Sequence, residues 1–423
     1  MRHLQGCLAR LDIDNIVNRA FAIAALLVLG CVSAAHAQTF TALHQFTNGL
    51  DGGYPMTGLT PDAAGNFYGT TSQGGTRGGT VFKLSQRSGA WVLTTLYSFP
   101  GYLGGAAPLG RVIFGPDGAL YGTASIDGHC DECGVVVQLR PPAIPCGSLT
   151  CPWTATVIHM FMHNEIDGFG PTGDLIFDHA GNIYGTTSSG GQYGGGTVYE
   201  LTPRNGSWTE TVLYSFSGPD GYTPFSGVVF DNAGNLYGTT LYGGSSGDGV
   251  LFELSPSGSG WTETLLHSFM DANMSPNGSL PYAGLTPDGM GSFYGTTEEG
   301  GLGQCFGGPG IFGCGTVFQG SGSTVYSFIQ QPLTSPGGPM SPVTLDAQGN
   351  LYGTTYAAGA DFEGSVFMLT AGQFAYTSLH DFTNGIDGSH PIGNVVRDSS
   401  GNLFGTTRYG GTHLAGVVWE ITP

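Results

Sequence analysis

Positive charge is scarce in this chain. Lysine and arginine supply 11 of 423 residues, against 30 aspartates and glutamates, and charged residues of all kinds make up only 10%. A formal charge of −19 repels nucleic-acid phosphates and anionic lipid, so binding steered by phosphate is excluded. Long apolar runs are absent beyond residue 37, and nothing there approaches a bilayer span. Helical periodicity is missing from the same stretch. No nucleophile elbow, P-loop or zincin signature occurs. Low charge with 75 glycines would suggest disorder, but aromatics at 12% argue for a packed core.

The first 37 residues read as a leader. Arg2, Arg10 and Arg19 precede an apolar run from Phe21 to Val32, and Ala35-His36-Ala37 is a small-x-small cleavage signal. The mature chain is expected to start at Gln38, secreted or periplasmic, with a net charge near −20. Val28-Leu29-Gly30-Cys31 loosely fits a lipobox, so anchoring through Cys31 is the alternative. Six cysteines remain, in three close pairs: Cys130/Cys133, Cys146/Cys151 and Cys305/Cys314. In an exported chain such pairs read as disulfides. A metal site from Cys130, Cys133, Cys146 and Cys151 is the competing reading, but the spacing fits no standard zinc ribbon.

What the chain has in abundance is one phrase. Tyr68-Gly69-Thr70-Thr71 recurs at Tyr121, Tyr184, Tyr237, Tyr294, Tyr352 and Phe404, with steps of 53, 63, 53, 57, 58 and 52 residues. A period this regular means a repeat architecture. The third copy shows the unit. Gly173–Asp178 is a short apolar run, Asn182–Thr187 a second, Gly196–Leu201 a third and Trp208–Phe216 a fourth. Each is rich in β-branched and aromatic residues and bounded by Gly, Asp, Asn or Pro. Four antiparallel strands per repeat specify a propeller blade, and seven phrases specify an all-β, seven-bladed propeller over residues 38–423. The last copy lacks a fourth strand, and Thr39–Phe46 matches that strand's pattern. The amino-terminal strand is therefore expected to complete the last blade and seal the ring.

Within the unit, Gly69 and its equivalents are expected to face a bulky residue of a neighbouring blade, with Tyr68 and its equivalents filling the layer between blades. Asp62, Asp178, Asp231, Asp288, Asp346 and Asp398 lie six residues before the aromatic, and Gly115 takes that place in the second copy. They read as turn-opening residues.

Candidate binding residues fall in two groups. Asp51, Asp167, Asp220 and Asp387 sit in Asp-Gly turns before a proline, on loops expected at the channel mouth. Turn chemistry explains them, and ligand or calcium contact is the sharper alternative. Three residues after that proline, glycine gives way to Arg111, Asp174 and Asn394 in three copies. These are expected on the channel wall, as structural pairs or as ligand contacts. His44, His159, His267 and His380 share one fourth-strand position with Tyr97, Tyr214 and Tyr326, which argues for packing rather than metal ligation. His163, His390, Glu165, Glu298 and Glu299 are expected on mouth loops, and no cofactor is assigned.

With the G-N-L-Y-G-T-T phrase, the G-G-x-x-G-x-G-T-V-F stretch and the L-Y-S-F strand written out, residues 39–423 resemble the GloVer tandem-repeat family of exported bacterial proteins, often named for their choice of surface anchor. The resemblance implies a secreted, propeller-like array at a surface, and it brings no catalytic residues with it. The sequence ends at the last blade, so a free form is expected rather than a sorted one. Two functions compete: a monomeric, non-enzymatic propeller binding a glycan or protein at the channel mouth, and a lyase or glycosidase with its site in the same funnel.

Overall fold

The four runs of each repeat pair in the order in which they occur. In a computed structural model of the chain, Ile176–Phe177, Ile183–Thr187, Thr197–Arg204 and Ser207–Ser215 form one antiparallel sheet, and seven such four-stranded sheets are present. The structure describes residues 38–101, 104–126, 133–142, 153–162, 166–258, 260–270, 277–302, 305–306, 311–329, 338–357 and 359–423. The leader expected at 1–37 lies outside them, and Phe40–Thr422 form one compact unit. No helix of the described residues is long and apolar enough to cross a membrane. The seventh sheet draws Val396–Arg397, Leu403–Thr407 and Val417–Thr422 from the carboxy-terminal end and Thr39–Gln45 from the amino-terminal end. Phe46 N–H then donates to Gly416 O at 3.0 Å, so the expected closure is present.

The core is a set of layers between blades. Tyr68 packs against Val112, Leu120 and Val137 of the following blade, as its predicted inter-blade place requires. The glycine beside it has a different cause from the one expected. A Cβ at Gly69 would lie 2.5 Å from Phe82 Cζ, and Phe82 is its register partner in the same blade. At Gly185, Gly238 and Gly353 the obstructing ring is Tyr199, Phe252 and Phe367, again within the blade. The bulky neighbour thus comes from the adjacent strand rather than the adjacent sheet. The strands are close enough that an aromatic ring can fold over a bare Cα and seal that face of the sheet.

The two threonines of the phrase have separate duties. The first reaches across to the innermost segment of the next blade. Thr186 Oγ1 donates to Ser226 O at 2.8 Å, Thr296 to Ser341 O at 3.0 Å, and Thr406 to Thr57 O at 2.7 Å. Thr70, Thr123, Thr239 and Thr354 make the same bond to Gly110, Gly173, Ala283 and Gly393. These seven bonds form a closed circle, one per blade boundary. The second threonine pins the ends of two strands within a blade, as in Thr71 Oγ1 to Thr80 Oγ1 at 2.8 Å. Thr406→Val keeps the shape and strands a buried carbonyl, so it should cost about 1–2 kcal/mol in urea unfolding.

The turn aspartates are explained by local bonding. Asp178 accepts N–H bonds from Ala180 and Asn182 at 2.8 and 2.9 Å, and Tyr184 donates its hydroxyl at 3.3 Å. Where Gly115 replaces the aspartate, Asp117 takes over, receiving the Tyr121 hydroxyl at 3.0 Å. Burial alone would raise the Asp62 and Asp346 carboxyls, but bonds from Asn66 and Asn350, from backbone N–H groups and from the nearby tyrosines hold both below their ordinary value. A lowered folded-state pKa gives stability above the unfolded value that is lost as pH falls through the folded one. Asp62→Asn and Asp346→Asn should therefore flatten the acid limb of stability below pH ~4. An unchanged acid midpoint would refute this.

Candidate functional site

Each innermost segment enters the channel directly after its proline, so the channel wall is written in register. The first residue after the proline supplies Met56, Leu109, Thr172, Phe225, Tyr282, Met340 and Ile392. Two residues further in come Gly58, Arg111, Asp174, Gly227, Gly284, Pro342 and Asn394. Both sets border one axial cavity of about 150 Å³. Arg111, Asp174 and Asn394 are thus on the wall as expected. Arg111 and Asp174 meet: Arg111 Nε donates to one carboxylate oxygen at 2.6 Å and Arg111 N–H to the other at 2.7 Å. Asn394 lies against Gly58 across the closure between the last and first blades, and its Oδ1 is buried without a hydrogen bond. A side chain at residue 58 would collide with that amide, which explains the glycine there.

The four turn aspartates do not border this cavity. Asp51 accepts the Thr47 N–H at 3.0 Å and Asp387 the Thr383 N–H at 3.0 Å. Asp220 caps Ser217 N–H at 2.8 Å, and Asp167 caps Met162 N–H at 2.9 Å. Each closes its own loop. The histidines and tyrosines of the fourth strand, read from sequence as a separate packing set, are partners of these aspartates. His44 Nε2 lies 3.0 Å from Asp51, His380 Nε2 3.2 Å from Asp387, and the Tyr214 hydroxyl 2.6 Å from Asp220. A bulge one residue before the His or Tyr, where Val198 pairs Tyr214 and Tyr199 pairs Val212, turns that side chain toward the loop.

The mouth is not seven-fold in chemistry. The residue after the repeated phrase is Ser72, Ser125 or Ser188 in the first three blades, and each hydroxyl caps a carbonyl of the loop that leads into its own blade. In the last three blades it is Glu298, Tyr356 and Arg408. Burial first, then neighbouring Glu299, pushes the Glu298 carboxyl up to about 7. Burial raises the Tyr282 phenol, and Glu298 raises it further. The Arg408 guanidinium, which counters that rise, stacks 4.8 Å from the Tyr409 ring. Phe225 packs on Tyr282 at 4.4 Å and Tyr54 on Tyr409 at 5.7 Å. His390 joins Tyr356 at 4.7 Å, and its Nδ1 lies 3.1 Å from a Glu363 carboxylate oxygen. One side of the mouth thus carries a connected set of rings, one guanidinium and one reluctant acid. Tyr282, Tyr356, Arg408 and Phe225 were not singled out from sequence. The comparison across repeats that revealed Arg111 would have revealed them in two other columns, the residue after the proline and the residue after the phrase. A raised Glu298 adds stability below about pH 4.5 that is lost as pH rises through about 7, so Glu298→Gln should flatten stability over that window in pH-dependent melting.

His163 and Glu165 lie outside the described residues, as do Cys130, Cys146 and Cys151. Cys133 and Cys314 are disulfide-bonded. Cys305 begins the short strand Cys305–Phe306.

Fold and mouth together define a closed β-propeller of repeated blades with one chemically distinct sector. The chain belongs to the Gloeobacter/Verrucomicrobia repeat family, whose profile matches residues 30–145, 147–319 and 302–423. No curated protein matches it. Among solved structures it is similar to a protein from Thermus thermophilus described as an oxidoreductase (glucose dehydrogenase), at 13% identity and TM-score 0.42, covering 91% of this chain and 100% of that one. A protein of unknown function from Dyadobacter fermentans gives 12% and 0.42, covering 92% and 100%. An α-L-arabinofuranosidase from Fusarium graminearum gives 12% and 0.42, covering 74% and 91%. Likeness at this level says nothing about the activity of this chain.

Proposed function

We propose that this chain is an exported, monomeric, non-enzymatic propeller that binds a glycan at the channel mouth. The observation that carries the reading is the one-sided cluster of Phe225, Tyr282, Tyr356, Arg408 and Tyr409, in a ring whose opposite sector carries capped serines. Sugar faces stack on aromatic rings, and a guanidinium beside them gives a directed donor for hydroxyl or carboxylate oxygens. Hydrolysis by the usual route needs two carboxylates flanking one bond. Among the described residues bordering the axial cavity only Asp174 is acidic, and Arg111 occupies it. The leader ending at Ala37, the acidic surface and the three cysteine pairs, with Cys130–Cys133, Cys146–Cys151 and Cys305–Cys314 as their bonding pattern, support the exported setting.

One observation favours a carbohydrate-active enzyme instead. A carboxyl held near 7, as Glu298 is, has the protonation state a general acid requires. A glycan array with product analysis on the full chain separates the two. Binding without turnover, lost in Tyr282→Ala and Arg408→Ala, is expected. Turnover of any polysaccharide, abolished in Glu298→Gln, would overturn the binding reading.

A further inference from the structure

Away from the channel, the repeat builds the same slot between each pair of blades. One wall is the fourth-strand His or Tyr of a blade. The other is the residue six positions before the closing phenylalanine of the next blade's fourth strand. Across most boundaries the slot is filled by packing. His380 stacks on Phe40 with ring centroids 4.0 Å apart, and Tyr326 stacks on Tyr376 at 5.8 Å. His267 lies against Gly322, where a Cβ would come within 2.5 Å of its ring. Between the second and third blades the same two positions hold His159 and Glu210, and the turn aspartate Asp167 joins them.

One sister comes near it: between the third and fourth blades Tyr214 faces Glu263 beside Asp220, and Glu263 Oε1 is also buried without a hydrogen bond. Among the described residues, only the slot between the second and third blades adds an imidazole to the two carboxyls. His159 Nε2 and Glu210 Oε2 are 3.4 Å apart, and one ligand atom from each of His159, Asp167 and Glu210 lies within 4.8 Å of the others. His159 Nε2 and Glu210 Oε1 are buried and make no hydrogen bond. Beside them is Tyr199, 0% exposed, whose hydroxyl also lacks a hydrogen bond. It is the only tyrosine at a position held elsewhere by Phe82, Val137, Phe252, Phe318, Phe367 or Trp419. Glu210 and Asp167 both stand close to its hydroxyl. Burying polar atoms without partners costs about 1–3 kcal/mol each, and four blade boundaries show apolar or small residues opposite the fourth-strand ring. The Glu210 and Asp167 carboxyls are within hydrogen-bond reach of each other and Asp167 also accepts the Met162 N–H, so His159 Nε2 and Glu210 Oε1 are the atoms a ligand here would satisfy.

We propose that His159, Asp167 and Glu210 form a three-ligand site for a divalent transition ion of the zinc type, with the Tyr199 hydroxyl lying alongside. One imidazole nitrogen and two carboxylates suit zinc better than calcium, which takes oxygen ligands only. With bonds of about 2.0–2.1 Å, neighbouring ligands of a tetrahedron stand about 3.4 Å apart, matching His159 and Glu210. The ligands come from two blades, so the ion would staple the second to the third. It is a structural site, separate from the mouth and independent of what binds there.

The test uses the untagged full chain, stripped with chelator and titrated with zinc chloride by calorimetry, with melting followed in parallel. One equivalent per chain and a melting temperature that rises with zinc are expected, with no response to calcium. His159→Tyr, which installs the residue used in sister blades, and Glu210→Gln should each weaken binding by more than roughly tenfold. His380→Tyr, in a slot closed by Phe40, should leave it unchanged. Cobalt substitution of the wild-type chain should give the visible absorption of a four-coordinate nitrogen–oxygen site, a readout that needs no variant to fold. No uptake of zinc, uptake untouched by both substitutions, or no cobalt absorption would overturn the proposal.

Discussion

Deleting residues 38–46 should abolish the cooperative unfolding transition. Phe46 is fully buried among Leu59, Phe82 and Val418, and Phe40 and Leu43 pack against the layers on either side of the last blade. Side chains of this size contribute about 1.5–3 kcal/mol each when fully buried, as Phe46 is, and half-buried Phe40 and Leu43 add less, so the three together supply about 4–5 kcal/mol. That approaches the whole net stability of a typical domain, about 5–15 kcal/mol. The deletion also leaves Val417–Thr422 as an unpaired edge, an invitation to aggregate. Urea unfolding followed by far-ultraviolet dichroism and fluorescence should show a broad, early transition. A midpoint equal to that of the intact chain would show that the amino-terminal strand is dispensable.

Gly185→Val should be strongly damaging, at about 2–3 kcal/mol or more. The new Cβ would lie 2.5 Å from Tyr199 Oη, 2.6 Å from its Cζ and 3.0 Å from Leu175 Cδ2. Tyr199 and Leu175 are both buried and have no room to retreat. The second blade supplies the control. Its phrase carries Gly122 opposite Val137, which has no ring to fold over the bare Cα, and a Cβ at Gly122 would meet Val112 Cγ1 at 3.1 Å. Gly122→Ala should therefore cost less than about 1 kcal/mol, and Gly185→Ala distinctly more. Equal losses at the two positions would mean that strand propensity, not the ring, keeps glycine in the phrase.

The blade count, the strand order and the borrowed strand were all legible because they follow from period and pattern, which survive in a single sequence. The reason for the glycine was not. Period alone places Gly69 in a crowded strand, but only register shows that Phe82 of the same sheet does the crowding. The phrase's first threonine was equally opaque, since its partner is a backbone carbonyl 39 to 50 residues away, or 349 for Thr406. At the mouth, Arg111, Asp174 and Asn394 were found because each breaks a glycine column. The turn aspartates were found as turns, but their pairing with His44, Tyr214 and His380 was missed, because a bulge shifts the strand by one residue. Glu298 was expected on a mouth loop for its charge, but Tyr356 and Arg408, at the same place one position past the phrase in the next two blades, carry no turn or charge-pair pattern that points to them.

The circle of threonine bonds and the shared last sheet impose an order on synthesis. The strand made first among the folded residues is the one whose partner is made last. From the moment Thr39–Gln45 leaves the ribosome until Val417–Thr422 follows it, Phe40, Leu43 and Phe46 have no native seat. Six blades can assemble in the meantime, yet none can be clasped to the next all the way round. Whatever keeps that strand from pairing elsewhere during that wait decides how much of the newly made chain becomes a ring.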